Sequence, residues 1–166
     1  MIVSFIISQN NNIPRIKKSI EWLCEKFGTK CDEYYAFPTL QQLKTATEQD
    51  YKLAGLGYRA KYMYEVMQFL TNDMLENLKQ KNKDEQFNFL VGLKGVGEKV
   101  ANCILLFGLQ RKDVFPVDTW INKVYNELTN TIESNRNKIT IELTNRYKNL
   151  SGYAQQYFFY YFRENR

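Results

Sequence analysis

The stretch Leu93-Lys94-Gly95-Val96-Gly97-Glu98-Lys99-Val100-Ala101 decides the fold. Before it, Phe87, Leu90 and Val91 mark one face of a helix that ends at Gly92. After it, apolar residues surround a helix over Glu98–Phe107 almost completely, the pattern of a buried element that Gly108 would terminate. Two helices joined by Leu-x-Gly-Val-Gly make a helix-hairpin-helix at about residues 83–108. Gly95 and Gly97 permit backbone conformations closed to other residues and close approach of the chain to a ligand. The free N–H groups of the following helix then face outward with the positive end of its dipole, a phosphate clamp that needs no side-chain charge. An ordinary glycine-containing turn is the alternative reading.

Outward from the hairpin, the other elements are helical too. Ile13, Ile16, Ile20, Leu23 and Phe27 recur at spacings of three and four, with Asn11 or Asn12 as cap, Pro14 in the first turn and Gly28 as stop. Short helices follow over Leu40–Ala46 and from Thr47 towards Leu53. Gly55-Leu56-Gly57 is a tight turn. Tyr58–Leu70 and Asp73–Leu78 follow it. Asp118 caps Thr119–Leu128, and Lys138–Leu150 and Tyr153–Glu164 complete the chain. No stretch shows the period-two alternation of a strand. The expectation is an all-α fold of about eight to ten short helices.

Composition narrows the chemistry. The 166 residues suit one domain, and 44% hydrophobic with 25% charged residues fits a globular chain. No run of 18 apolar residues predicts a spanning helix, and residues 1–7 lack the basic start and cleavage site of a secretory signal. Three scattered cysteines (Cys24, Cys31, Cys103) predict a reducing compartment without a disulfide framework. The absence of histidine removes a histidine base, a His-ligated zinc and a Ser-His-Asp triad. The net charge of +5 is compatible with nucleic acid, but 16 of the 23 cations are lysine in a chain rich in AT-coded residues, so it weighs little.

Lys99 sits in the first turn of an otherwise apolar helix. The positive helix end and partial desolvation both disfavour the ammonium, and a neutral amine is a nucleophile suited to Schiff-base chemistry. The alternative is a solvated lysine touching phosphate. Asp118 lies nineteen residues on, at a helix start. It is an N-cap by position, which is compatible with presenting its second oxygen to a substrate.

Gly95-Val96-Gly97-Glu98-Lys99-Val100-Ala101 with Pro116-Val117-Asp118 resembles the helix-hairpin-helix DNA glycosylase superfamily, and within it the 8-oxoguanine DNA glycosylase/lyases. Ser8-Gln9-Asn10-Asn11-Asn12-Ile13-Pro14-Arg15-Ile16 is similar to that group's triple-Asn segment. Gly55-Leu56-Gly57-Tyr58-Arg59-Ala60 is similar to its wedge loop. Ala154-Gln155 with Phe159 is similar to its base-reading helix.

The resemblance implies an active-site cleft between two helical lobes. It implies Lys99 as nucleophile at C1′ of an extruded nucleotide and Asp118 as the carboxylate that stabilises the sugar cation. Gln155, Phe159, Cys103 and Pro116 would contact the base. Asn10, Arg15, Tyr58, Arg59, Gly95 and Gly97 would contact DNA, Tyr58 as the wedge. Without the resemblance, Cys103 reads as a small buried hydrophobe, Tyr58 as a helix-start aromatic, and the other aromatics of Tyr157–Phe162 as core or interfacial.

The implied activity is base excision with strand cleavage by β-elimination on double-stranded DNA carrying 8-oxoguanine or abasic sites. The alternatives are an abasic-site lyase with little excision, and a non-catalytic DNA-binding module. No cofactor is required, and a monovalent cation at the hairpin is compatible. A monomer without membrane contact is expected, in the bacterial cytoplasm near the nucleoid or in a eukaryotic nucleus. Family members carry an antiparallel β-rich domain upstream. Here a single helical domain over residues 1–166 is expected without it, and Trp120 stands near the place of a family histidine. No four-cysteine cluster predicts the iron–sulfur centre of the endonuclease III branch.

Overall fold

The computed structural model describes residues 1–164. The chain divides into two compact units, Met1–Gly97 and Glu98–Arg166.

In the first unit, α1 (Ile2–Ser8) is followed by α2 (Ile13–Phe27), whose cap is Asn12: its side chain accepts from the Arg15 N–H at 3.0 Å. A two-stranded antiparallel hairpin, β1 (Lys30–Cys31) with β2 (Tyr34–Tyr35), pairs Lys30 with Tyr35 and Cys31 with Tyr34. Next come α3 (Leu40–Lys44) and α4 (Glu48–Leu53), each opened by a threonine capping box, at Thr39 and Thr47. The turn at 55–57 leads into α5 (Arg59–Phe69), against which α1, α3 and α4 pack. Its inner face, Ala60, Met63, Val66 and Met67, is almost fully buried. The unit closes with α6 (Asn72–Gln80) and α7 (Lys83–Val91).

The second unit starts with α8 (Glu98–Gly108), buried around most of its circumference as its apolar sequence predicts. A connection follows whose residues Val114, Phe115, Pro116 and Val117 are all buried. Then come α9 (Thr119–Thr129), α10 (Arg136–Tyr147), one 3-10 turn (Lys148–Leu150) and α11 (Ser151–Glu164). Phe115, Val117, Ile121, Ile139 and Leu143 form its core.

The described residues hold eleven α-helices, somewhat more than expected. The excess is α1, a seven-residue helix with no side-chain cap that leaves no start signal in the sequence. The β-hairpin corrects the expectation of no strand; two residues per strand are too few to show alternation. Gly108 does not end α8. The helix includes it, and the left-handed residue is Gln110 (φ +56°), after which the Arg111 N–H returns to the Leu105 carbonyl at 2.9 Å. Among the described residues, no helix is long and apolar enough to cross a membrane.

Candidate active site

Lys99 lies in the first turn of α8, half-buried, and Cys103 one turn later on the same face is 5% exposed. Asp118 approaches from the other end of the buried connection. Burial pushes the Cys103 thiol above its ordinary value. The positive charge of Lys99 pulls it down, the negative charge of Asp118 pushes it up, and a hydrogen bond from Lys99 pulls it down again. One thiol therefore lies within electrostatic reach of both the amine and the carboxylate. With burial dominant, Cys103 stays a neutral thiol and does not compete as a nucleophile.

Asp118 is held rigidly. Its backbone is extended (φ −100°, ψ −174°), and Oδ1 accepts the Ile121 N–H at 2.8 Å as the cap of α9. The buried run Val114–Val117 anchors the carboxylate from the preceding side, with Phe115 stacked on Tyr147 at 6.1 Å between centroids. Pro116 lies buried in this run. Gln155 on α11 is 6% exposed, and its Oε1 accepts from Gln156 Nε2 at 2.5 Å. Phe159, one turn on, is half-buried and packs against the unit's core, so it has a structural as well as an interfacial face. Of its aromatic neighbours, Tyr157, Tyr160 and Tyr161 are exposed, while Phe158 packs on Phe115.

In the first unit, the hairpin glycines differ from each other. Gly95 has φ +76°, and a β-carbon there would lie 2.4 Å from Cδ2 of Tyr62. Gly97 has neither constraint: a β-carbon would meet nothing within 4 Å. The three asparagines also differ. Asn11 donates to the Ile7 carbonyl at 3.0 Å, Asn12 caps α2, and Asn10 is exposed in a left-handed conformation (φ +43°) that asparagine tolerates. Arg15 is exposed. Tyr58 is 56% exposed at the start of α5.

Arg59 departs from expectation. It is 7% exposed, and its guanidinium donates to three main-chain carbonyls: Nε to Gln9 at 2.7 Å, Nη1 to Leu56 at 2.9 Å and Nη2 to Asn10 at 2.9 Å. A buried cation needs such acceptors to offset its lost hydration. Arg59 is thus an internal brace in this structure, not a surface cation. Arg136, which the sequence reading passed over, is exposed at the start of α10. It donates from Nη2 to Thr119 Oγ1 at 3.0 Å, one residue from Asp118. A lone arginine in a polar segment carries no signal of that proximity.

Comparison with known proteins places this geometry in a family. The model of the HhH-GPD superfamily base excision DNA repair protein matches residues 3–149. The N-glycosylase/DNA lyase of Saccharomyces cerevisiae is 38% identical over 141 residues, 74% of this chain and 38% of its own length. The Arabidopsis thaliana N-glycosylase/DNA lyase OGG1 is 35% identical over 130 residues, 72% of this chain and 36% of its own. The crystal structure of Clostridium acetobutylicum 8-oxoguanine glycosylase/lyase with double-stranded DNA containing cytosine opposite 8-oxoguanine superposes with a TM-score of 0.93 at 42% identity. That match covers 99% of this chain and 59% of the other. The chain thus spans between a third and three fifths of the length of these relatives. A match that runs from α1 to the 3-10 turn before α11 takes in the hairpin, Lys99 and Asp118 alike, and the chain belongs to the HhH-GPD superfamily of base excision DNA repair proteins.

Proposed function

We propose that this chain is a DNA glycosylase with abasic-site lyase activity that excises 8-oxoguanine from duplex DNA. The observation that carries the proposal is the cap-fixed carboxylate of Asp118, which, like the amine of Lys99, lies within electrostatic reach of the buried Cys103. An amine beside an anchored carboxylate is the minimum equipment for Schiff-base chemistry at a sugar carbon. The names of the relatives, N-glycosylase/DNA lyase and 8-oxoguanine glycosylase/lyase, support it.

In the proposed reaction, the lone pair of Lys99 Nζ attacks C1′ and the C1′–N9 bond breaks. Its electrons leave with the base, which takes up a proton. Asp118 stabilises the positive charge that develops on the sugar. The C1′–O4′ bond then opens to give an imine between Nζ and C1′. Loss of a C2′ proton expels the 3′ phosphate, which breaks the strand. Gln155 can read a purine edge because its amide both donates and accepts. Phe159, Cys103 and Pro116 supply the apolar walls. Extrusion of the base costs a few kcal/mol, which Tyr58, Asn10 and Arg15 would offset by filling the vacated stack. Gly97 fits the reading well: nothing in the protein requires glycine there, so its value lies in the room it leaves for a phosphate.

Borohydride reduction in the presence of duplex containing 8-oxoguanine or an abasic site should trap a covalent protein–DNA adduct, and Lys99→Gln should abolish it. An undiminished adduct in Lys99→Gln would refute Lys99 as the nucleophile. Trapping on abasic but not on 8-oxoguanine duplex would leave a lyase without excision. No adduct on either, with salt-sensitive binding retained, would leave a DNA-binding module.

A further inference from the structure

Arg59 braces more than its own helix. Its three bonds tie the 9–10 turn, through Gln9 and Asn10, to the 55–57 turn, through Leu56. The guanidinium carbon also lies 4.7 Å from the ring centroid of Tyr58. Tyr58 meets Tyr62 edge-on, with centroids 6.0 Å apart. The Tyr62 ring in turn lies where a side chain on Gly95 would stand: a β-carbon there would fall 2.4 Å from Cδ2 and 2.7 Å from Cγ. A continuous line of contacts therefore runs from the Asn10 turn, through Arg59, Tyr58 and Tyr62, to the hairpin, all within Met1–Gly97.

We infer that Arg59 and Tyr62 are positioning residues that lock the Asn10 turn, the Tyr58 wedge and the Gly95 hairpin into one rigid DNA-reading surface. The inference rests on the proposed glycosylase reading for the meaning of those three loops, but not for the line itself. The physics favours these residue types. Only a planar fork can hold three carbonyls while its face lies on a ring, so lysine is no substitute. Only glycine lets the hairpin backbone sit directly on Tyr62. Inserting a wedge into a duplex requires that the loop carrying it resist the load. A wedge, a gap-filling asparagine and a phosphate clamp that moved independently would each have to be ordered at the moment of binding.

Amide hydrogen exchange on the free protein tests the line, and lesion opening tests its use. Arg59→Lys should raise exchange about tenfold at Asn12 and also at Val96, whose N–H bonds to Leu93 in the hairpin. Tyr62→Leu should raise exchange at Val96 and leave Asn12 at the wild-type rate. In both variants, fluorescence of 2-aminopurine beside the lesion should report about tenfold less duplex opening. Borohydride trapping on a single-stranded abasic site, which needs no wedge, should fall by less than the duplex opening does. Loosening of Asn12 alone in Arg59→Lys, or an unchanged Val96 in Tyr62→Leu, would overturn the inference. If Arg59→Lys fails to fold, Tyr62→Leu decides. If the wild-type protein gives no adduct at all, the lyase reading fails, yet the exchange rates still decide whether the line exists.

Discussion

Asp118 has one job that the structure shows and a second that the proposed reaction gives it, and two substitutions separate them. As a cap it gives Oδ1 to the Ile121 N–H at 2.8 Å. Asparagine is as good an N-cap as aspartate, so Asp118→Asn should melt within about 1 °C of wild type. Asp118→Ala loses the cap, worth about 1 kcal/mol, which for a chain of this length lowers Tm by about 2–4 °C. In the proposed reaction Asp118 lies beside the sugar and would face a developing positive charge. Two unit charges about 4 Å apart in a half-buried site interact by about 4 kcal/mol, which sets an upper bound near a thousandfold on the rate. Only part of a full charge develops, so base removal should slow by about a hundredfold to a thousandfold in both variants. Single-turnover excision of 8-oxoguanine from duplex, beside thermal melts and binding to uncleavable lesion DNA, reads all three quantities. Asp118→Asn should show wild-type melting and binding with the slow rate. An Asp118→Asn rate within about threefold of wild type would refute the electrostatic role. An Asp118→Asn melt as low as that of Asp118→Ala would refute the cap argument instead.

Other expectations follow from single residues. Lys148 sits at φ +48°, ψ −123°, a conformation that suits glycine. Lys148→Gly should raise stability by about 1 kcal/mol, seen as a higher Tm, and a lower Tm would show that the lysine side chain stabilises the turn by more than the strain it bears. Tyr51 is fully buried, donates to the Leu43 carbonyl at 2.9 Å, and has its phenol pushed up by burial. Its folded pKa lies above its unfolded value near 10, so its contribution is complete below about pH 10 and is lost as the pH rises further. Tyr51→Phe should be about 1 kcal/mol less stable at neutral pH, with the gap narrowing in denaturant melts above pH 10; a constant gap would contradict the linkage. Arg136→Ala should weaken binding to all duplexes alike and reduce the salt slope by about one. A loss confined to lesion DNA would count against a phosphate contact.

The helix starts were legible because caps are local. Asn12, Thr39, Thr47 and Asp118 each satisfy an N–H two or three residues ahead, and that geometry is written in adjacent residues. Helix stops were less legible. Gly108 continues α8 because the chain could place its left-handed residue at Gln110, where the Arg111 N–H still reaches Leu105. Glycine permits a positive φ but does not compel one. The hairpin at Lys30–Tyr35 lay below the length at which alternation exists, and α1 lacked a cap. In the site, spacing on one helix placed Lys99 beside Cys103. The approach of Asp118 to them came from the resemblance, since the chain between residues 99 and 118 contains no periodicity that carries a distance.

What sequence cannot assign is whether a polar group is free. Asn10, Asn11 and Asn12 are the same residue three times over. Asn11 bonds back to Ile7, Asn12 bonds forward to Arg15, and Asn10 instead gives its main-chain carbonyl to Arg59 and turns left-handed into solvent. The two flanking helix ends decide this outcome, because each end claims one neighbouring amide to satisfy its own backbone. Arg59 shows the converse. Beside the exposed Tyr58 its charge suggests a DNA contact, yet three carbonyls at turns forty-nine and fifty residues upstream and three residues back claim it. The groups open to a substrate are therefore those left over once the backbone is satisfied. For that reason the exposed side chain of Asn10, rather than Asn11, Asn12 or Arg59, is the one in its segment that should change lesion binding when replaced by alanine without changing the melt.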